Sequence, residues 1–341
     1  MQISRWYVAV AMLLAALLPL AAHAWKRGEV ERFATLPAGN SHPEGITADR
    51  HGNIYVATID FGRPGEPGRL FVFDRDGELE RTVDIRGATN LLLEIAFQPN
   101  TDMLLVVDFG GKQVLRVDPR TGASSVFMTL PSSKREFAGL NNLTFDRAGN
   151  VYVSDSFQGI IWRTGPSGGE ATPWAEGPLL RTNGVPPFGA NGLAFNKAST
   201  TLFVTNTGND QVIKIPVEKP ENMTVFVNSV NGPDGLIIDE DDNLWIAANQ
   251  ADEIVVLEPK EGRVIAKLGD FNGINRRGAP RGLLFPVGLV RVGEWLYVTN
   301  LSLDLRFFEL APPVDAPWAA QVTRHTVSRI KARIPPVRGL P

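Results

Sequence analysis

A short sequence pattern recurs six times along this chain, and no other feature constrains its fold as strongly. Five of the six repeats begin with a Gly- or Pro-containing segment that leads into an apolar run, as in Pro43-Glu44-Gly45-Ile46 and Gly189-Ala190-Asn191-Gly192. The anchor positions of the six repeats are residues 44, 93, 141, 191, 234 and 287, a spacing of 43 to 53 residues. Repeats of this length are typical of propellers and solenoids, in which each repeat is one supersecondary unit.

A second apolar run follows each anchor after a turn, as in Ile54-Tyr55-Val56-Ala57-Thr58. These runs are rich in β-branched and aromatic residues and are bounded by Gly, Asp and Asn, which indicates strands joined by tight turns. Third and fourth strands follow in most units, and no long stretch has the apolar period of a helix. We therefore predict an all-β fold, a six-bladed β-propeller with about four antiparallel strands per blade. Five or seven blades are not favoured, because the count is read directly off the repeats.

Two segments outside the repeats are candidates for closing the ring. Residues 29–36 precede the first unit, and we predict that they supply an outer strand to the last blade. The basic, Pro-rich tail, residues 311–341, contains one more strand-like run at residues 320–334. That run is a candidate for the same blade.

The N-terminus has the pattern of an export signal. Arg5 supplies a positive charge, residues 6–20 are almost wholly apolar, and Ala22-His23-Ala24 is a small-x-small cleavage sequence. This predicts a signal peptide over residues 1–24, a single propeller domain over residues 25–341, and a secreted or periplasmic protein. An uncleaved N-terminal anchor is the alternative. No other stretch approaches the ~20 apolar residues of a membrane span, so we expect none after cleavage.

Composition excludes several classes of function. The chain has no cysteine, so disulfides and thiol catalysis are excluded and a large closed core must supply the stability. The net charge of −3, from 34 basic and 37 acidic residues, is not that of a nucleic-acid-binding protein. Neither a Gly-x-Ser-x-Gly elbow nor a phosphate-binding Gly-rich loop is evident, which sets aside serine-triad hydrolysis and nucleotide chemistry. No organic cofactor is predicted.

The anchor positions carry the chemistry. In a propeller the first strand of each blade lines the central channel, so equivalent residues form a ring around the axis. Turn preference alone would explain one Asn-Gly or Asp-Gly, but Glu44 is not a favoured turn residue and these residues begin inner strands. Four of the six anchors bear side-chain oxygens: Glu44, Asn141, Asn191 and Asp234.

This donor set suits a hard cation. Calcium takes 6 to 8 oxygen ligands from carboxylates, amides and water, so the ring predicts a Ca²⁺ site. Another divalent cation, such as magnesium, remains an alternative. Zinc is disfavoured, because the predicted mature chain lacks cysteine and has only three histidines, His42, His51 and His325.

The anchor segments, taken as a set, resemble those of the SMP-30/gluconolactonase/luciferin-regenerating-enzyme family. The resemblance covers about Val30 to Asn300, and that family is itself similar to the squid-type diisopropylfluorophosphatase and, more distantly, to the paraoxonases. It implies a catalytic calcium deep in the channel and the hydrolysis of lactones or, in some members, of phosphoesters or phosphofluoridates. It also implies that Asp234 acts as a general base or nucleophile, and that the calcium ligands are Glu44, Asn141, Asn191 and Asp234.

The chain departs from that family at three positions. Gly139 stands where regucalcin-type gluconolactonases carry an Arg that contacts the sugar, and Asn142 stands where they usually carry Asp. Val287 stands near the position of a His in the phosphatase-like members. The departures leave the metal ligands in place, but gluconolactone and phosphofluoridate specificity do not follow.

Further side chains are candidates for the substrate pocket. His42 is either a base near the channel mouth or an exposed loop histidine, and Asn142 adjoins a predicted ligand. The residues that end the second strands either line the pocket, support the ligands or stabilise turns: Thr58, Asp108, Asp155, Asn206 and Asn300. Four loop phenylalanines either form apolar pocket walls or cover blade edges: Phe61, Phe109, Phe157 and Phe188.

Three functions are compatible with these patterns. The leading one is a calcium-dependent lactonase or carboxylic ester hydrolase that acts on a small molecule. The second is a non-catalytic exported propeller with a structural calcium and a ligand- or partner-binding rim, since a fold alone does not fix function. The third is a strictosidine-synthase-like lyase or condensing enzyme.

Overall fold

The structure is a computed structural model that describes residues 26–39, 41–308 and 316–335. The predicted signal peptide, residues 1–24, lies outside these ranges, as do residues 311–315 and 336–341 of the Pro-rich tail. Within them, no helix combines the length and the apolarity needed to cross a membrane.

Six antiparallel sheets of four strands each form the six-bladed propeller that the repeats predict. The chain begins with β1 (Val30–Thr35). Blade 1 comprises β2 (Ser41–Ala48), β3 (Ile54–Asp60), β4 (Arg69–Phe73) and β5 (Leu79–Asp84). Blade 2 comprises β6 (Leu92–Phe97), β7 (Leu104–Asp108), β8 (Gln113–Val117) and β9 (Ser124–Thr129). Blade 3 comprises β10 (Leu140–Phe145), β11 (Val151–Asp155), β12 (Ile160–Thr164) and β14 (Thr172–Glu176). The short β13 (Gly169–Glu170) pairs in parallel with the outer edge of blade 2.

The second half of the ring repeats this plan. Blades 4 and 5 comprise β15 (Ala190–Phe195), β16 (Thr201–Asn206), β17 (Gln211–Pro216) and β18 (Thr224–Asn228); and β19 (Pro233–Ile238), β20 (Leu244–Ala248), β21 (Glu253–Leu257) and β22 (Val264–Leu268). A separate hairpin of β23 (Phe271–Ile274) and β24 (Pro280–Gly282) precedes blade 6. Blade 6 contains β25 (Pro286–Val292), β26 (Trp295–Asn300) and β27 (Thr326–Lys331), with β1 at its outer edge.

Helices are a minor part of the described chain. The α-helices α1 (Ser132–Arg135) and α2 (Ala316–Ala319) are one turn each. Four short 3₁₀ turns complete the helical segments: Pro178–Leu180, Thr207–Asn209, Pro220–Asn222 and Leu305–Phe308.

The hydrophobic core lies between blades. The second strands are buried on both faces, as in β7, and their side chains pack against those of the next sheet. One cluster, for example, joins Val107 and Val114 of blade 2 to Val153 and Trp162 of blade 3. The inner strands contact one another in a closed cycle from β2 through β6, β10, β15 and β19 to β25 and back to β2. The ring is therefore held by apolar packing between adjacent sheets.

Both predicted closing segments belong to blade 6. β1 pairs antiparallel with β27, so the N-terminal strand seals the blade built from the C-terminal part of the chain. Leu36 N donates a hydrogen bond to His325 O at 2.9 Å just beyond this pairing. The run at residues 29–36 is confirmed as the outer strand, β1, and the run at residues 320–334 supplies the third strand, β27.

Two histidines lie buried beside this closure. His42, on β2, is only 8% exposed, so the alternative of an exposed loop histidine is wrong, whereas a role as a base stays a prediction. Its Nδ1 lies 2.9 Å from Leu301 O, and its ring centroid is 4.2 Å from that of His325. Burial lowers the pKa of His42, although the Leu301 carbonyl and Asp60 oppose the shift. Burial, together with the neighbouring His42, lowers the pKa of His325 to about 3.

The low pKa of His325 predicts a loss of stability in acid. Above the ordinary histidine pKa of 6.5, neither the folded nor the unfolded state binds a proton at His325. Between that value and about 3, only the unfolded chain takes up the proton. The contribution to the free energy of unfolding therefore falls by up to ~1.4 kcal/mol per pH unit.

Urea unfolding of the wild type and of His325→Gln at pH 7, 6 and 5 measures this contribution. Contributions from groups that do not contact His325 are common to both proteins and cancel in the difference of slopes, so the variant should lose stability less steeply on acidification. His51→Gln, at an exposed histidine, is the control and should keep the wild-type slope. A wild-type slope in His325→Gln would contradict the prediction.

Candidate functional site

Each of the six inner strands is irregular at its anchor. The pairing of β2 with β3 shifts register between Pro43 and Ile46, and the same shift occurs at the equivalent place in every other blade. A β-bulge leaves its extra residues unpaired and re-aims their side chains. Each blade therefore presents two consecutive bulge residues near the propeller axis.

The first bulge residues meet at one cavity of about 360 Å³, here called the chamber. The anchors that line it are Glu44, Leu93, Asn141, Asn191 and Asp234. The sixth anchor, Val287, is buried in an apolar cluster with Phe285 and Leu301, which do line the chamber. The structure thus brings the four predicted metal ligands together around one cavity.

The second bulge residues lie on the other side. Four are glycines, and a side chain there would collide with the next blade: a Cβ at Gly45 would lie 2.2 Å from Leu93 O, and one at Gly192 2.3 Å from Asp234 O. The absence of a side chain therefore permits the close approach of neighbouring inner strands.

The two exceptions are Glu94 and Asn142. They line a second cavity of about 330 Å³, here called the rear cavity, which is formed by the following residues of the inner strands. Asn142 Nδ2 donates to Glu94 Oε2 at 2.6 Å, and Asn142 Oδ1 accepts from Leu193 N at 3.3 Å. Asn142 was predicted to belong to the substrate pocket, but it does not line the chamber. It links blades 2, 3 and 4 behind the chamber instead.

The hydroxyl groups beside Asn141 and Asn191 fix how the two amides are turned. Ser156 Oγ donates its proton to Ala190 O at 2.7 Å, and therefore can only accept from Asn141, whose Nδ2 lies 3.2 Å away. Thr207 Oγ1 donates to Pro233 O at 2.8 Å and accepts from Asn191 Nδ2 at 3.0 Å. Each amide nitrogen is thus committed to a hydroxyl, which leaves the amide oxygen as the free ligand atom.

Asp234 is held in a similar way. Asn249, the residue after β20, donates from Nδ2 to Asp234 Oδ2 at 2.8 Å. Ser156, Thr207 and Asn249 therefore occupy equivalent positions, each directly after the second strand of its blade. These three residues were missed from the sequence.

The predicted strand-end residues are one position too early. None of Thr58, Asp108, Asp155, Asn206 and Asn300 lines the chamber, whereas in four of those five blades the following residue does: Ile59, Phe109, Thr207 and Leu301. In the remaining blade the following residue, Ser156, bonds a predicted ligand. Successive side chains of a strand point to opposite faces, so an error of one residue reverses the assignment.

Four of the five strand-end polar residues instead organise the loops between strands. Asp108 accepts from Gly111 N, and Asp155 accepts from Gly139 N and from Trp162 Nε1. Asn206 donates to the carbonyls of Leu179 and Arg181, and Asn300 accepts from Leu284 N and donates to Thr326 Oγ1. Their role is structural support of the chamber-bearing loops.

The electrostatics of the channel favour a cation. Burial raises the pKa of Glu44 well above its usual range, and the charges of Asp234 and Glu94 raise it further. Burial also raises the pKa of Asp234 to about 7, against the hydrogen bond from Asn249, and that of Glu94 to about 8. Among the described residues, no Lys, Arg or His lines the chamber. Glu44 and Asp234 therefore share the chamber, with Glu94 behind them in the rear cavity, and no basic side chain lines either cavity in the described residues.

The donor chemistry fits calcium. Asn191 Oδ1 is buried and has no hydrogen-bond partner in the described structure, an arrangement that costs ~1–3 kcal/mol unless a ligand satisfies the atom. The described residues contain no cluster of three or more His, Cys, Asp or Glu side chains suited to a metal. Two carboxylates and two amide oxygens would instead supply a hard, all-oxygen set.

The rest of the chamber is apolar. All four loop phenylalanines proposed from the sequence lie on its wall: Phe61, Phe109, Phe157 and Phe188. The Phe109 and Phe157 ring centroids are 5.8 Å apart, and those of Phe157 and Phe188 are 5.5 Å apart. The polar residues are confined to the level of the bulges and the strand ends beside them.

Comparison with protein-family models agrees with this architecture. A model described as the SMP-30/gluconolactonase/LRE-like region matches residues 95–269, just over half of the chain. The chain belongs to this family. Members of the SMP-30/gluconolactonase/LRE-like family include lactonases, which supports a hydrolase at the family level.

Individual relatives extend the comparison. A segment of 161 residues is 30% identical to the lactonase drp35 of Staphylococcus aureus and covers 43% of this chain but only 42% of the lactonase. A luciferin-regenerating enzyme has a similar structure, with a TM-score of 0.64 and 16% identity over 89% of this chain and 95% of that one. A calcium-binding protein, regucalcin, from Agrobacterium tumefaciens gives a TM-score of 0.60 and 16% identity over 90% and 99%. At such identities the structural matches show the shared fold alone.

The hydroxyl of Thr207 should be needed for tight calcium binding. Thr207→Val keeps the shape of the side chain but removes the group that turns Asn191 Oδ1 toward the chamber. Loss of such a supporting hydrogen bond typically weakens metal affinity by about 10- to 100-fold. Isothermal titration with calcium measures the change in Kd.

Thr172→Val is the matched control, because Thr172 is exposed on the outer strand of blade 3 and does not line the chamber. It should bind calcium as the wild type does. Wild-type affinity in Thr207→Val would show that Asn191 is not held for a metal.

Proposed function

We propose that this protein is a calcium-dependent hydrolase of the lactonase or carboxylic esterase type. Glu44, Asn141, Asn191 and Asp234 would hold the metal in the central channel. The observation that carries the proposal is their position in one cavity, with both amide nitrogens committed to neighbouring hydroxyls. The match to a lactonase supports the reaction class.

Each part of the chamber would contribute to ester cleavage. Bound calcium would act as a Lewis acid toward the substrate carbonyl oxygen and stabilise the charge that develops there. Asp234, oriented by Asn249, is the candidate general base: it would accept a proton from the water that attacks the acyl carbon. The acyl C–O bond then breaks, the leaving oxygen regains that proton, and a lactone opens to a hydroxy acid. Direct attack by the Asp234 carboxylate, followed by hydrolysis of the acyl-enzyme, is the alternative role for the same residue.

Chelation separates this function from that of a non-catalytic calcium propeller. We expect a panel of small lactones and aryl esters to be hydrolysed with calcium present and not after EDTA treatment, with activity returning when calcium is restored. Asp234→Asn should lower kcat by at least about 10²-fold, the usual range for loss of a general base. Asp241→Asn, at an exposed turn residue, is the control and should retain activity.

If EDTA lowers the melting temperature but no ester or lactone is turned over, calcium is structural and the hydrolase proposal is wrong. Full activity in Asp234→Asn would instead remove that residue from the mechanism.

We also propose that the protein is exported to the periplasm or the medium after cleavage behind Ala24. The support is the charged, apolar and small-residue pattern of residues 1–24. Intact-mass measurement of protein recovered from the periplasmic extract of a bacterial host should give a chain that begins at Trp25. A membrane-bound chain that retains residues 1–24 would identify the segment as an uncleaved anchor.

A further inference from the structure

The chamber wall above the bulges offers a substrate apolar surface and few hydrogen bonds. Thirteen of the nineteen residues that line the chamber are apolar, and five of these are phenylalanines. The other six are the four predicted ligands with Thr207 and Asn249, and the latter two bond Asn191 and Asp234, respectively. No charged side chain other than Glu44 and Asp234 lines this part of the described chain.

Phe157 forms part of this wall, and its ring lies where a side chain at residue 139 would otherwise project. A Cβ at Gly139 would lie 2.6 Å from the Phe157 ring, so the ring occupies the space that a polar side chain there would need. The ring is nevertheless 48% exposed while it lines the chamber. A large apolar ring that stays half in solvent at the edge of an apolar cavity gains burial when an apolar ligand covers it.

A polyhydroxylated lactone fits this wall poorly. Each of its hydroxyls would lose hydrogen bonds to water, and phenylalanine, leucine and proline side chains cannot replace them. A hydrocarbon arm has the opposite preference, because its transfer from water to such a wall is favourable. By comparison with the ~150 Å³ cavity that holds benzene, 360 Å³ has room for roughly a dozen heavy atoms.

We infer that the substrate is a lipophilic lactone or ester, in which an alkyl or aryl arm lies along the Phe109–Phe157–Phe188 wall while its carbonyl faces the four oxygen-bearing side chains. This inference rests on the proposed hydrolase for its reaction and on the chamber wall for its specificity. The arm selects the substrate, and the carbonyl group undergoes reaction.

The test is a series of γ-lactones on the calcium-loaded, full mature chain: γ-butyrolactone, then γ-lactones with propyl, pentyl and heptyl side chains, with D-glucono-δ-lactone as the polar comparison. The value of kcat/KM should rise by up to about 4-fold per methylene until the chamber is filled. D-Glucono-δ-lactone should be among the poorest substrates.

Two exposed phenylalanines supply the matched variants. Phe157→Ala should lower kcat/KM for the heptyl lactone by about tenfold, and for γ-butyrolactone by less. Phe137→Ala removes a ring that is 66% exposed and does not line the chamber, and should leave the whole series as in the wild type. Equal melting temperatures of the two variants would exclude a folding defect as the cause of the difference.

Failure of the inference and failure of the hydrolase proposal are distinguishable. Turnover of D-glucono-δ-lactone equal to or above that of the heptyl lactone overturns the inference and leaves the hydrolase standing. If no lactone is turned over, the hydrolase fails, and the Kd of the same series from ligand-induced shifts in melting temperature decides the inference. A Kd that falls with chain length and responds to Phe157→Ala supports it, and a Kd independent of chain length overturns it.

Discussion

Close contact between neighbouring inner strands at the bulges is the constraint on which the rest of this structure depends. Four bulge glycines bring their strands against a carbonyl of the next inner strand, so the ring is tight at this level and the channel is divided into a chamber and a rear cavity. Before three of these glycines stand Glu44, Asn191 and Asp234, which line the chamber. Ring closure by β1 and β27 maintains that contact, because a blade that opened would separate its neighbours.

The same level of the channel brings acidic side chains together. Glu44 and Asp234 are buried and Glu94 is partly buried beside them, and each has a raised pKa because desolvation disfavours its charged form. Hydrogen bonds from Asn249 and Asn142 offset only part of this cost. Buried acidic groups with shifted pKa values are typical of functional sites. A divalent cation would convert the repulsion between Glu44 and Asp234 into ligation.

The sequence predicts what is periodic and misses what the bulges change. The repeat spacing gave six blades, and the anchor positions gave Glu44, Asn141, Asn191 and Asp234, because rotational symmetry alone brings equivalent positions to the axis. Strand alternation fails at a bulge, which inserts a residue that no apolar pattern reveals. The strand-end polar residues, for which lining the pocket was one of three roles considered, lie one position before the residues that reach the chamber.

Burial was the second property that the pattern could not supply. Glu94 follows the apolar anchor Leu93 and lines the rear cavity. In the sequence, the only sign of this is that four other repeats have glycine at the equivalent position. His42 is buried because Leu301 and His325, both distant in sequence, cover it. Contacts of this kind arise from ring closure and leave no local signal.

An apolar chamber wall beside four oxygen-bearing side chains suits the hydrolysis of esters. Water screens charges strongly, so donors aimed at a developing oxyanion are worth more where phenylalanine and leucine side chains exclude it. The apolar wall would therefore strengthen the interactions made by the four oxygen-bearing side chains. It would also supply binding energy through a part of the substrate that does not react. That remote binding energy can hold the carbonyl in position for attack. Specificity and catalysis would thus be set by different residues on the same cavity, with the first changeable through Phe157 and its neighbours while the four oxygen ligands stay fixed.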